Sequence, residues 1–97
     1  MDKKFKEWLC EKSGMFGWGV DEHETIPTEV LMKVSWNINR FPEQYNAMVV
    51  IIDYCRVYIL GDDDDEKIEF NYKDNVGSEQ EQLKKAIEYI YKESLNG

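Results

Sequence analysis

The sequence predicts an α+β domain with an N-terminal helix, a three- to four-stranded antiparallel meander, and a C-terminal amphipathic helix packed on one face of the sheet. Apolar residues recur at helical spacing near both ends, and they alternate with polar residues between. The chain has 97 residues, 42% of them hydrophobic. This length fits one domain, residues 1–97, with a core of its own.

The N-terminal helix is predicted over residues 2–13. Phe5, Trp8 and Leu9 stand at positions i, i+3 and i+4, which gives one apolar stripe, and Gly14 is a suitable stop.

A loop rich in glycine and aromatic residues follows at residues 13–19. Trp18 stands between two glycines, so its indole either folds back over the core or projects as an anchor for a partner. Exposed tryptophans often dominate binding energy. Phe16 and Trp18 are therefore candidate partner-binding residues.

The sheet is predicted over residues 29–73. In residues 29–39 the alternating apolar positions indicate a half-buried strand with Trp36 in the core and Leu31 as the one exception: Val30, Met32, Val34, Trp36 and Ile38. Residues 46–60 form either a hairpin, which we favour, or one long strand with a bulge. Residues 67–73 alternate again.

The C-terminal helix is predicted over residues 78–95. Ser78 and Glu81 fit a capping box, and an apolar stripe follows at helical spacing. The stripe consists of Leu83, Ala86, Ile87 and Ile90.

The sequence lacks the patterns that catalysis or metal binding requires. His23 is the single histidine, and Cys10 and Cys55 form no motif, so we expect unpaired thiols and no zinc site. Asp62–Glu66 is a contiguous run, unlike the spaced ligands of a calcium loop. We therefore expect no enzyme activity and no cofactor. Without a signal peptide or a long apolar run, we expect a cytoplasmic protein without membrane contact.

The acidic residues are concentrated in two stretches. Residues 61–81 hold nine acidic and two basic residues, a local charge of −7, and residues 21–29 hold four acidic residues and no basic one. Such a charge disfavours direct binding to nucleic acid and favours a basic protein partner. The candidate partner-binding acids are Asp62, Asp63, Asp64, Asp65, Glu66, Glu69, Asp21, Glu22 and Glu24.

In size, charge and layout the chain resembles small phage-encoded inhibitors, such as anti-CRISPR and other anti-defence proteins. The resemblance implies an inhibitor whose acidic patch occupies the nucleic-acid-binding surface of an enzyme or effector. One alternative is an immunity or antitoxin protein that neutralises a toxin domain. Another is a nucleotide-binding domain with a sheet lined by Trp36, Tyr54, Tyr58 and Tyr72. Either a monomer or a homodimer is compatible with the sequence.

Overall fold

The computed structural model describes residues 3–18, 26–53, 56–61, 66–71 and 79–96. The helices are α1 (Lys3–Ser13), α2 (Thr28–Arg40) and α3 (Glu79–Asn96), with a short 3-10 helix at Pro42–Tyr45. The strands are β1 (Val49–Asp53), β2 (Arg56–Leu60) and β3 (Glu66–Asn71). The predicted α+β class is confirmed.

The described strands form an antiparallel sheet in the order β1-β2-β3. Asp53 pairs with Arg56, which leaves two residues to connect β1 and β2. The register therefore selects the hairpin over one long strand. Between β2 and β3 the register shifts at Ile59 and Leu60, which pair with Ile68 and Glu66. A β-bulge of this kind increases the local twist of a strand.

The prediction of a strand at residues 29–39 is wrong, because this segment is helix α2. Within the described residues the sheet begins at Val49 and has three strands, the lower of the two predicted numbers. The buried residues of α2 follow a helical stripe: Val30, Leu31, Val34, Ser35 and Ile38. Leu31, the exception to the strand pattern, is fully buried, whereas Trp36 is 60% exposed. The alternating apolar set was therefore divided between two faces of a helix.

Helix α2 begins at Thr28, directly after Pro27. Pro27 has an extended conformation at the N-cap, with φ −60° and ψ 140°. Its carbonyl accepts hydrogen bonds from the backbone N–H groups of Val30 and Leu31, at 3.0 and 3.3 Å. Glu29 in the first turn and Arg40 in the last turn both offset the helix macrodipole.

The chain forms the 3-10 helix directly after α2. Pro42 occupies its first turn, and Asn46 ends it in the left-handed conformation with φ 56°. Ala47 also has a positive φ, of 59°. Two consecutive residues of this kind cannot belong to a regular strand, so β1 begins only at Val49.

The core lies between the sheet and the helices. Helix α3 contacts all three strands, α2 contacts β1 and α3, and α1 packs on α2. An aromatic cluster of Phe5, Trp8, Tyr45 and Tyr91 joins α1, the 3-10 helix and α3, with ring centroids 5.0 to 6.2 Å apart. On α3 the apolar stripe from Leu83 to Ile90 is buried.

Candidate protein-binding surfaces

Several of the predicted site residues lie outside the described part of the chain, namely Asp21, Glu22, Glu24 and residues 62–65. Glu66 begins β3 and pairs with Leu60, and Glu69 pairs with Tyr58. Phe16 is 75% exposed in the loop after α1.

Trp18 folds back on the domain. Its indole is half-buried and packs against the core. The indole Nε1 donates a hydrogen bond to the carbonyl of Met15 at 3.0 Å, and the Lys6 ammonium lies 5.4 Å from the ring centroid. The loop reaches this position through Gly14 and Gly17, whose φ angles of 73° and 83° suit glycine. Of the two expected orientations, the indole adopts the one over the core.

The first turn of α3 is hydrogen-bonded to Ile26, two residues before α2. The side-chain Nε2 of Gln80 donates a hydrogen bond to the carbonyl of Ile26, with a length of 2.5 Å. Ile26 belongs to residues 21–29, which hold four acids, and Gln80 belongs to residues 74–81, which hold three. Neither segment contains lysine or arginine. We call residues 21–29 and 74–81 the acidic segments.

Of the run Asp62–Glu66, the structure describes Glu66, which lies at the same end of the sheet as the start of β1. The Asn46 side chain donates to the carbonyl of Glu93 at 3.1 Å, which places the last turns of α3 near the start of β1. That start pairs with Leu60, and Leu60 also pairs with Glu66. Along α3, Gln80 lies about 20 Å from Glu93 at 1.5 Å per residue. Glu66 therefore lies apart from the contact between Gln80 and Ile26.

The outer face of α2 is a surface that the sequence analysis missed. We define it as Glu29, Met32, Lys33, Trp36 and Arg40, which recur at helical spacing. Met32 is 45% exposed and Trp36 is 60% exposed. The Arg40 guanidinium lies 4.9 Å from the Trp36 ring centroid, and the Lys33 ammonium lies 3.9 Å from the Glu29 carboxylate. Two large apolar side chains thus stand in a charged rim.

A groove of about 700 Å³ runs between the outer face of α2 and the last turn of α1. The α1 side of its lining consists of Glu11, Lys12, Ser13 and Gly14. A Cβ atom built on Gly14 would meet no atom within 4 Å, so the groove is open beside it. Of the charged lining residues, two are acidic and two are basic. This groove therefore lacks the acidic excess of the whole chain.

Asn37 links the groove to the core. Its side-chain Oδ1 accepts a hydrogen bond of 2.5 Å from the hydroxyl of Tyr45, whose side chain is buried. Burial raises the pKa of Tyr45, and the negative charge of Glu11 raises it further. Burial also raises the pKa of Tyr89, with a second contribution from Glu93. Both hydroxyls are neutral at physiological pH, as an ordinary tyrosine with a pKa of about 10 is, and the raised pKa values extend the neutral form to higher pH.

No group of three or more potential metal ligands occurs among the described residues. Cys10 is a free, half-buried thiol, and Cys55 lies outside the described residues. Among the described helices, none is both long and apolar enough to cross a membrane.

Trp36 lies on α2 rather than on the sheet, so it does not line the sheet platform expected for a nucleotide. Tyr58 lies on β2, and the Arg56 guanidinium stacks on its ring at 4.2 Å. Tyr54 and Tyr72 are outside the described residues.

Comparisons with protein-family models, curated proteins and solved structures find no match for this chain.

Proposed function

We propose that this protein is a non-enzymatic, protein-binding inhibitor whose acidic segments occupy a basic, nucleic-acid-binding surface of its target. The hydrogen bond between Gln80 and Ile26 supports this most directly, because it joins two segments that hold seven acidic residues and no lysine or arginine. A target surface that normally binds phosphates offers the complementary charge.

Only some of these acidic residues have a role in stabilising a helix. Glu29 and Glu81 lie in the first turns of α2 and α3, where a carboxylate stabilises a helix by about 0.3–1 kcal/mol. The two acidic segments hold further carboxylates, including Asp21, Glu22, Glu24 and Asp74, whose charge a basic partner would neutralise. Their field would also accelerate encounter with such a partner, and salt would weaken this effect.

The proposal is tested by immobilising the protein and capturing partners from its native cytoplasm at low and high salt. We expect a basic, nucleic-acid-binding protein that duplex DNA displaces. Three matched substitutions, Asp21→Asn, Glu22→Gln and Glu24→Gln, should weaken its binding at least about tenfold, or 1.4 kcal/mol.

The matched control replaces Asp62, Asp63 and Asp64 by asparagine, which removes the same charge from a different part of the sequence. Equal losses for the two triple variants would indicate a response to net charge alone. Unchanged binding for both would refute the acidic-surface proposal. A captured toxin domain would instead identify an immunity protein acting through the same charges.

A further inference from the structure

We infer that the outer face of α2 binds a second copy of this chain and forms a weak, two-fold symmetric dimer. The inference is independent of the proposed function. It starts from Met32 and Trp36, which are 45% and 60% exposed beside an open groove of about 700 Å³. Exposed aromatic residues next to a groove are typical of interface anchors.

The charge of this face favours a second copy over a basic partner. The chain carries a net charge of −8, yet the charged lining of the groove is balanced between two acidic and two basic residues. Arg40 adds a further positive charge at the end of α2. The charged residues of this face therefore add little net repulsion between two copies.

The order of residues on the face is also self-complementary. Glu29 and Arg40 are equally far in sequence from the point between Val34 and Ser35, and so are Lys33 and Trp36. Two antiparallel α2 helices related by a two-fold axis would therefore place Glu29 opposite Arg40 of the second copy. They would likewise place the Lys33 ammonium near Trp36 of the second copy, a cation–π arrangement.

The contact between two such helix faces is small. Specific interfaces bury at least about 1,200 Å² in total, and this contact lies at or below that lower limit. Repulsion between two acidic chains opposes it further and is screened by salt, with a Debye length of about 10 Å at 0.1 M. We therefore expect dimerisation to strengthen as salt rises, opposite to the binding of a basic partner.

The test is sedimentation velocity from about 10 µM to 1 mM protein, a range that covers weak association, at low and high salt. We expect a concentration-dependent dimer whose fraction increases with salt. Trp36→Ala should raise the dissociation constant at least about tenfold, the effect of losing an interface anchor. Leu95→Ala, which removes a 66% exposed apolar residue on α3, should leave the constant unchanged.

A charge exchange tests the two-fold arrangement itself. Glu29→Arg makes the net charge less negative by two, from −8 to −6, so a response to net charge alone would strengthen the dimer. We expect it to weaken instead, because Arg40 of the second copy would face an arginine. Arg40→Glu should weaken it too, and the double exchange should restore it.

Thermal unfolding of each variant checks that α2 remains folded. A wild-type chain that stays monomeric at all concentrations and both salt levels overturns the inference. So does a dimer that Trp36→Ala does not affect. A heterologous protein that needs Trp36 while the wild type stays monomeric would assign the face to that protein.

Discussion

The two faces of α2 contain similar apolar residues with opposite surroundings. Val30, Val34 and Ile38 are fully buried on the inner face, whereas Met32 and Trp36 are exposed on the outer face. In the strand that the sequence suggested, all five side chains would point the same way. In a helix, neighbours two residues apart are separated by about 200° around the axis, so the same five residues divide. Apolar character alone therefore does not identify the core here.

Adjacent substitutions on the two faces should give the largest contrast in stability. Leu31 is fully buried and Met32 is 45% exposed, although they are neighbours in sequence. Leu31→Ala should lower the free energy of unfolding by about 2–5 kcal/mol, because it leaves a cavity in the core. Met32→Ala should change it by less than about 1 kcal/mol. Urea denaturation of both variants measures the difference.

The contrast also tests which structure residues 29–39 adopt. In a strand with Met32 on the buried face, Met32→Ala would cost more than Leu31→Ala. That reversed order would contradict α2 as described.

The end of α2 supports the sheet through a polar contact rather than an apolar one. The Asn39 amide donates to the carbonyl of Val50 at 2.7 Å, and its Oδ1 accepts from the Val50 N–H at 2.8 Å. Since β1 is an edge strand of the described sheet, this amide occupies backbone groups that would otherwise be open to another strand.

We expect Asn39→Ala to cost about 1–3 kcal/mol, the net value of two hydrogen bonds. Gln44→Ala, at an exposed amide of the 3-10 helix, is the matched control and should cost less than about 0.5 kcal/mol. Chemical denaturation gives both values, and equal costs would show that the Asn39 contact adds no stability.

The sequence predicted the parts of the fold in which one period dominates. Phe5 and Leu9 on α1, and the stripe from Leu83 to Ile90 on α3, fit only a helix, and both sets are buried. In α2 the period of two and the period of 3.6 both matched, and only Leu31 distinguished them. The exposure of Trp36 was not predicted because of that ambiguity. An indole that is assigned to the core face of a strand cannot also be recognised as a surface residue.

The surfaces were predictable to different degrees for the same reason. Charge is visible in composition, so the acidic stretches could be named from the sequence. The packing of the helix ends could not, since it depends on the contacts of Asn46 with Glu93 and of Gln80 with Ile26. Those contacts join residues 47 and 54 positions apart, beyond the reach of any local pattern.

The smallest expected effect concerns Tyr45, at the boundary between the groove and the core. Its hydroxyl donates to Asn37, so Tyr45→Phe should cost about 0.5–1.5 kcal/mol near neutral pH. The pKa of Tyr45 is raised in the folded protein, first by burial and then by Glu11, so the folded state holds its proton more tightly than the unfolded state. Stability from the neutral hydroxyl is therefore complete below the ordinary tyrosine pKa, about 10, and is lost as pH rises through the folded value.

Urea denaturation of the wild type and of Tyr45→Phe between about pH 7 and pH 11 brackets that ordinary tyrosine pKa. The difference between their unfolding free energies should stay constant up to about pH 10 and shrink above it. The other tyrosines are common to both proteins, so their titration cancels in this difference. A difference that grew above pH 10 would mean that the folded protein stabilises the ionised hydroxyl, contrary to a phenol packed against the core beside Asn37.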